Sequence, residues 1–390
     1  MTTQFSDDLL VQNQFRAINP YDEQYAHQLG YEGFQRVFAI RPGDRVLILA
    51  DRGLDPRVIQ GVWAHATAKG ASVNAFVAET VGHVATDGGY HKAEIPEYVK
   101  PLISDATFVV STWAESTSHP FFRGLRKNQG QRWVKITYFR NWDILKSAQA
   151  RFPVELVSEL LVRTARLYPA SGPATIHVTD PRGTDLTFKL TERYVKSILN
   201  QSRWQGQLTA DVDGCYVHYL PTHGPNLYNH SSEDWDSVEV DGVLRPQWGV
   251  AFPRPFDDPP SIVIKGKRVT SVDGDGSVAS TLREMTIGAT IVELGCGFNP
   301  KARRLQIFPA GSNSPGALHF GIDTIEEQGY LKANSAYTAH LDLIDLDGTV
   351  TINDVPAVEA GRLTVLDDPD LRELATRFGD PDDLLNNWPL

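Results

Sequence analysis

Along the first third of the chain, segments with the hydrophobic pattern of a strand alternate with segments that have the pattern of a helix. Residues Arg45 to Asp51, RVLILAD, form a short run of branched apolar side chains, and the next segment places apolar residues at helical spacing until Gly70. A second strand-like run spans Ser72 to Ala78. Apolar runs at Thr107 to Trp113 and at Arg132 to Phe139 repeat the pattern. This alternation predicts an α/β domain with a mostly parallel sheet covered on both faces.

The pattern changes after a long amphipathic helix, which we predict from Pro153 to Tyr168. The next segment alternates with period two around the turn Asp180 to Gly183, and this predicts a hairpin. From there to about Asp354 the chain is rich in short strands, Gly and Pro. We therefore predict an N-terminal α/β domain over residues 1–180 and a β-rich α+β C-terminal catalytic domain over residues 181–390.

Length, net charge and cysteine content limit the classes of protein to which this chain could belong. A chain of 390 residues exceeds the size at which one hydrophobic core stops growing, which favours two domains. The net charge of −11 disfavours a binder of nucleic acid or of anionic membranes. Cys215 and Cys296 are the only cysteines, which suits a reducing compartment. The N-terminus has no secretory pattern and no apolar run reaches the length of a membrane span, so we expect a cytoplasmic protein.

Three apolar, strand-like segments in the second half carry polar side chains that suit a metal site. Their candidate ligands are Glu293, His319, His340 and Asp342. One residue separates His340 from Asp342, so on a strand both would project from the same face. Imidazole and carboxylate together suit zinc, cobalt, manganese or iron(II). Each residue taken alone is more often a hydrogen-bonded core group, but buried ionisable groups need a partner, and one ion would satisfy all four.

Other polar residues are candidates for binding or for proton transfer. His218 and His223 lie in CYVHYLPTHGPNLYNH, and either imidazole could act as a general base or hold an acidic substrate if this loop covers the metal. Arg245 and Arg254 flank WGVAFP and could bind a substrate carboxylate. The alternative for all four is a solvated surface side chain. Cys296, in the glycine-rich loop, is better explained as a small buried apolar residue than as a nucleophile.

The three segments resemble motifs of the aminopeptidase T family, the M29 group of metallopeptidases. The resemblance rests on E-x-G-x-G-x-N-P from Glu293 to Pro300, on G-x-x-H ending at His319, and on H-x-D at His340 and Asp342. RPGDRVLILAD and the helix ending in KGAS are similar to the family's opening strand and helix. The resemblance implies an aminopeptidase T-like fold, a catalytic C-terminal domain and a homodimer.

The sequence departs from this family at two positions. A further metal-binding Glu of the family corresponds here to Gly249, and a functional Tyr corresponds to Glu326. The first change argues against a two-metal site, although Glu326 or Tyr330 could compensate. The chain also resembles the 2,5-dihydroxypyridine dioxygenases, which bind one iron(II) through H-x-D and a His where this chain has Glu293.

These observations lead to three hypotheses. The first is a metal-dependent hydrolase of the aminopeptidase type acting on a small amide or peptide bond, with zinc, cobalt or manganese. Glu293, Glu326 and His218 would be catalytic, and Arg245, Arg254, His223 and Tyr330 would contact the substrate. The second is an iron(II) dioxygenase that opens a hydroxylated pyridine or aromatic ring. The third is a binding protein that retains the fold without the chemistry. None of the three involves nucleic acid or a membrane.

Overall fold

The computed structural model describes residues 36–78, 89–91, 95–113, 120–136, 142, 148–218, 226–229, 234–249, 252–302, 314–323 and 337–386. None of the helices within these ranges is long and apolar enough to cross a membrane.

The strands follow one another along the described chain as β1 (Arg45–Asp51), β2 (Ser72–Ala78), β3 (Gly89–His91), β4 (Phe108–Ser111), β5 (Arg132–Lys135), β6 (Ala174–Thr179), β7 (Asp185–Leu190), β8 (Tyr216–His218), β9 (Tyr228–Asn229), β10 (Glu239–Leu244), β11 (Trp248–Gly249), β12 (Ser261–Lys265), β13 (Arg268–Asp273), β14 (Thr290–Cys296), β15 (Leu318–Asp323), β16 (Tyr337–Asp345), β17 (Thr349–Ile352), β18 (Val355–Glu359) and β19 (Arg362–Leu363). The helices are α1 (Pro56–Ala68), α2 (Lys100–Asp105), α3 (Pro120–Gln129), α4 (Ala148–Arg151), α5 (Val154–Ala165), α6 (Glu192–Leu199), α7 (Gly276–Thr286), α8 (Pro369–Ala375) and α9 (Pro381–Leu385), and 3-10 turns span Trp235–Ser237 and Thr364–Asp367.

The first sheet is parallel and has the strand order β2-β1-β4-β5-β8. Helix α1 connects β1 to β2, and it begins where the Asp55 side chain accepts a hydrogen bond from the backbone N–H of Arg57. Val46 and Ile48 of β1 pack into one hydrophobic cluster and Leu47 and Leu49 into another. Because alternate residues of one strand are buried on opposite sides, the sheet is covered on both faces, which confirms the predicted parallel α/β unit.

The second sheet is antiparallel and follows the order β11-β16-β15-β14-β13-β12-β10-β7-β6-β17-β18-β19. Strand β9 pairs with β14, and β3 pairs with β16. The predicted hairpin at Asp180 is present, since β6 and β7 pair in antiparallel register. Helix α5 packs its apolar side chains into the same core as the inner face of this sheet. The protein therefore combines a parallel and a large antiparallel sheet, in agreement with the predicted α/β and β-rich parts.

The two sheets do not divide the chain at a single point. Strands β6 and β7 belong to the second sheet, whereas β8, which follows them in sequence, is the edge strand of the first. The chain then returns to the second sheet at β9. The division between residues 1–180 and 181–390 stays a prediction. The strand order shows that the chain crosses from the second sheet to the first and back again after residue 180, close to the candidate ligand Glu293.

A buried ionic cluster connects the β6–β7 turn to the end of β16. Arg182 donates from Nη2 to Asp180 at 2.8 Å and to Asp345 at 2.6 Å, and from Nη1 to Asp347 at 3.2 Å. The Asp180 and Asp345 side chains are fully buried. Burial, together with the neighbouring Asp180 and against the charge of Arg182, raises the pKa of the Asp345 carboxyl to about 7. Asp345 therefore retains its proton in the folded protein under mildly acidic conditions.

Replacing Asp345 with Asn is expected to flatten the dependence of stability on pH. Between about pH 4 and pH 7 the folded chain holds a proton on Asp345 that the unfolded chain releases, so the free energy of unfolding falls as pH rises through this window. The total fall is at most about 4 kcal/mol. Asn cannot ionise, and its amide can occupy the same contacts.

Urea unfolding of wild type and Asp345→Asn at pH 5 and pH 8 measures the effect. Asp354→Asn, which changes an exposed carboxylate, is the matched control and should retain the wild-type dependence. An equal loss of stability from pH 5 to pH 8 in wild type and Asp345→Asn would contradict the assignment.

Candidate metal centre

Strands β14, β15 and β16 lie side by side and separate apolar from polar side chains onto two faces. Leu294, Phe320 and Leu343 are in one cross-strand row, and all three are buried in the main core. The adjacent row contains Glu293, Gly321 and Asp342. Because neighbouring residues along a strand point to opposite faces, this second row lies on the face away from the core. The predicted ligands Glu293 and Asp342 thus share one face of the sheet.

A β-bulge in β14 determines the direction of Glu293. The pairing of β14 with β15 shifts between Ile291, opposite Ile322, and Glu293, opposite Gly321. In a regular strand residues 291 and 293 would project to the same face, and Ile291 is fully buried in the core. The extra residue, Val292, therefore turns Glu293 to the polar face. Bulges commonly redirect a side chain in this way beside functional sites.

The His319 imidazole lies across β14 and reaches Glu293. His319 is opposite Gly295, and a Cβ built on Gly295 would lie 1.8 Å from Cε1 and 2.0 Å from Nε2 of the ring. His319 Nε2 is 3.4 Å from Glu293 Oε1, and His319 is only 3% exposed. The Asn226 side-chain amide also donates to Glu293 Oε1. The ring can thus approach Glu293 because residue 295 has no side chain.

The other predicted ligands continue this face along β16. Asp342 is opposite Gly321, and the backbone of His340 pairs with Asp323, which is 1% exposed. The side chain of His340 is outside the described residues. Among the side chains that are described, no three His, Cys, Asp or Glu groups are placed to hold an ion together. The four-ligand site accordingly stays a prediction, of which the structure brings Glu293 and His319 into proximity.

A lysine of the first sheet interacts with Glu293 through its charge, and the sequence motifs did not indicate it. Lys135 ends β5, is 9% exposed, and interacts electrostatically with Glu293. Burial, together with the charge of Arg203 and against the charge of Glu293, lowers the pKa of the Lys135 ammonium to about 8. Asn226 was missed for the same reason, since neither residue belongs to a motif. The only signal in the sequence was a charged residue ending an apolar strand.

The two arginines that were predicted to bind a substrate carboxylate, Arg245 and Arg254, have other partners. Arg245 donates from Nη1 to the carbonyl oxygen of Arg182 at 2.9 Å and from Nη2 to that of Pro259 at 3.0 Å, beside the β6–β7 turn. Arg254 is exposed and forms an ion pair with Asp257 at 3.1 Å. Among the described residues, the partners of these two guanidinium groups are backbone carbonyl oxygens and the carboxylates of Asp257 and Asp258. Their role as carboxylate-binding groups stays a prediction.

Several predicted residues cannot be placed. Glu326, Tyr330 and His223 are outside the described residues. His218 is placed only by its backbone, which pairs with Lys135 at the end of β8. Cys296 is buried, and burial raises the pKa of its thiol to about 12, so it is a neutral core residue as expected.

No protein-family model and no curated protein matches the sequence. Among solved structures, the fold is similar to 2,5-dihydroxypyridine dioxygenase from Pseudomonas putida KT2440, with a TM-score of 0.59 and 16% identity over 90% of this chain and 99% of that chain. AmpT from Thermus thermophilus gives a TM-score of 0.48 and 12% identity over 88% of this chain and 100% of that chain. The similarity to the dioxygenase establishes a shared fold only. The TM-score for AmpT is too low to establish a shared fold.

Adding one methyl group at Gly295 is expected to displace the His319 ring. Gly295→Ala places a Cβ inside the volume of the imidazole, and relieving such overpacking costs about 1–3 kcal/mol. Thermal or urea unfolding of the variant measures the loss. Gly124→Ala is the matched control, because a Cβ there meets nothing within 4 Å and the residue lies in helix α3. The control should be neutral or slightly stabilising, since Ala is the better helix former. Equal stabilities for the two variants would contradict the close approach.

Proposed function

We propose that this protein is a metal-dependent hydrolase of the aminopeptidase type, using one divalent ion to cleave a small amide or peptide bond. The observation that carries the proposal is the Glu293–His319 pair on the polar face of three adjacent strands. In this proposal Glu293, His319, His340 and Asp342 hold the ion, which is zinc, cobalt or manganese.

The described residues support such an ion in three respects. A nearly buried imidazole lies beside a carboxylate, and these are nitrogen and oxygen donors of the kind that bind a divalent ion. Asp342 adds a second carboxylate on the same face. Between Glu293 and Asp342 stands Gly321, which has no side chain to fill the space above the sheet. Oxygen and nitrogen donors of this kind suit a borderline divalent ion.

An ion bound here would polarise a substrate carbonyl and lower the pKa of a bound water. The chain's own residues would handle the proton and the orientation of the substrate. Glu293 is held at Oε1 by the Asn226 amide, which fixes the carboxylate beside His319. Glu293 or Glu326 would accept the proton, and His218 would assist from the end of β8. His223, Tyr330, Arg245 and Arg254 stay proposed substrate contacts.

The orientation of Gly249 favours one ion over two. Gly249 is opposite Leu343, which belongs to the core face of β16. A Cβ at this position would lie 2.9 Å from the Phe252 ring and 3.2 Å from Leu343 Cδ2. A side chain here would therefore project toward the core and away from Asp342. Residue 249 supplies no ligand for a second ion.

The same observation gives a second candidate function, an iron(II) ring-cleaving dioxygenase for hydroxylated pyridines or aromatics. Such enzymes commonly use one iron held by two imidazoles and a carboxylate, and His319, His340 and Asp342 would form that set. For either activity we propose a small-molecule or short peptide substrate, a cytoplasmic location and a homodimer. A binding protein without catalysis is the remaining alternative.

Anaerobic purification followed by metal analysis and activity assays tests the proposal. We expect one divalent ion per chain and a rise in melting temperature when the ion is added to chelator-treated protein, because a ligand that binds only the folded state stabilises it. His340→Asn and Asp342→Asn should each lose most of the bound metal and most of the rise. His177→Asn, which changes an exposed imidazole paired with Asp185, should keep both.

The identity of the metal separates the hypotheses. Zinc, cobalt or manganese together with turnover of amide or peptide substrates supports the hydrolase. Iron(II) together with oxygen uptake in the presence of a hydroxylated ring contradicts the hydrolase and supports the dioxygenase. Failure of every divalent ion to bind or to raise the melting temperature refutes both enzymes and leaves the binding protein.

A further inference from the structure

Residues 226–229 form a short segment that lies against strand β14. The segment ends in β9, where Asn229 is opposite Glu293. Its first residue, Asn226, is buried, and the Asn226 side-chain amide donates a hydrogen bond to Glu293 Oε1. An ionised carboxylate can only accept hydrogen bonds, so an amide N–H is a suitable partner for it. The segment therefore brings a neutral donor to the candidate ligand Glu293.

Two tyrosine hydroxyl groups hold the backbone of this segment. The Tyr168 hydroxyl donates to the carbonyl oxygen of Leu227 at 3.0 Å. The Tyr194 hydroxyl, on helix α6, accepts from the backbone N–H of Asn229 at 2.6 Å and donates to its carbonyl oxygen at 3.2 Å. Both tyrosines are buried in the main core. Because hydrogen bonds between buried groups are costly to break, the backbone next to Asn226 is held in place relative to β14.

Asn226 and His319 approach the same oxygen of Glu293. His319 Nε2 is 3.4 Å from Oε1, which is the oxygen that accepts from the Asn226 amide. Two donor atoms on one tetrahedral ion, each bound at about 2.0–2.1 Å, lie about 3.3 Å apart, so the observed separation suits a shared ion. Turning Oε1 away from the amide would break the hydrogen bond to Asn226. The amide therefore restricts rotation of the carboxylate and keeps Oε1 turned toward His319.

Divalent ions differ in how they use a carboxylate group. Zinc takes four ligands in structural sites and four or five in catalytic sites. Manganese, like magnesium and calcium, prefers six or more ligands that are mostly oxygen, and a chelating carboxylate can supply two of them. Chelation requires both oxygens of the carboxylate to face the ion. A carboxylate that is restrained with one oxygen turned to the ion therefore favours the metal with the lower coordination number.

We propose that Asn226 determines which metal the site selects, because it holds Glu293 as a one-oxygen ligand and so favours zinc over manganese. The inference rests on the proposed function, since it concerns the ion that this function requires. Asn226 is a positioning residue, because it acts on the ion only through Glu293. Tyr168 and Tyr194 contribute by keeping the backbone beside Asn226 in place.

Metal titrations of the full-length protein test the inference. The dissociation constants for zinc and for manganese are measured for wild type, for Asn226→Ala and for Asn226→Gln, which keeps the amide group. Asn200→Ala is the matched control, because Asn200 is exposed at the C-terminal end of helix α6. Each variant is first compared with wild type by urea unfolding of the metal-free protein, which reports any loss of stability separately.

We expect Asn226→Ala to weaken zinc binding by about tenfold or more, because the loss of a group that orients a metal ligand commonly has this effect. Manganese binding should weaken less, so the ratio of the manganese to the zinc dissociation constant should fall by about fivefold or more. Asn226→Gln should retain part of the wild-type ratio, and Asn200→Ala all of it. A residue with a merely structural role would change both affinities alike.

The visible absorption spectrum of the cobalt-loaded protein reports the coordination number independently. Four-coordinate cobalt(II) absorbs more strongly than six-coordinate cobalt(II), because the two geometries have different electronic transitions. We expect the strong spectrum for wild type and a weaker one for Asn226→Ala, in which both oxygens of Glu293 can face the ion.

A double-mutant cycle tests the contribution of Tyr194. Tyr194→Phe removes the hydroxyl group and keeps the aromatic ring in the core. It should lower the ratio of the two dissociation constants when Asn226 is present and leave the ratio unchanged in Asn226→Ala, because the tyrosine acts through Asn226.

The outcomes separate this inference from the proposed function. Zinc binding by wild type with an unchanged ratio of dissociation constants in folded Asn226→Ala overturns the inference and leaves the proposed function standing. If Asn226→Ala does not fold, a six-coordinate cobalt spectrum of wild type overturns the inference instead. Failure of wild type to bind any divalent ion refutes the proposed function, and the inference with it.

Discussion

The candidate centre depends on a close approach between an imidazole and a strand backbone. His319 can lie across β14 only where residue 295 has no side chain, because any Cβ would overlap the ring. That approach brings a nearly buried imidazole to the Glu293 carboxylate. The contact also requires the bulge at Val292, because the bulge turns Glu293 to the face of the sheet on which His319 lies. Backbone geometry, more than side-chain packing, thus sets the positions of the candidate ligands Glu293 and His319.

Strand β16, which carries His340 and Asp342, is held at its C-terminal end by the ionic cluster around Arg182. Arg182, on the β6–β7 turn, binds two buried carboxyl groups and so connects distant parts of the antiparallel sheet to the end of β16. Breaking such a cluster would leave an uncompensated buried charge, which is costly. Such a support for β16 would suit the proposed metal centre, because metal ligands must be held close to their working geometry.

The relation between the two sheets gives the centre its chemical character. The antiparallel sheet supplies imidazole and carboxylate groups, while the carboxyl edge of the parallel sheet supplies Lys135 and, through the connection after β8, Asn226. The Glu293 carboxylate therefore has polar neighbours from both sheets. The fold shared with a dioxygenase establishes the architecture, and the chemistry depends on these particular residues.

The sequence by itself determined the local elements and the chemical type of the candidate ligands. Strand β1, the helix after it and the hairpin at Asp180 were predictable because hydrophobic periodicity and turn residues act over a few positions. The direction of Glu293, the core-facing position of Gly249 and the approach of Lys135 were decided only by the tertiary structure. Each depends on strand register or on contact between residues far apart in sequence, and a one-residue shift in register reverses which face a side chain occupies.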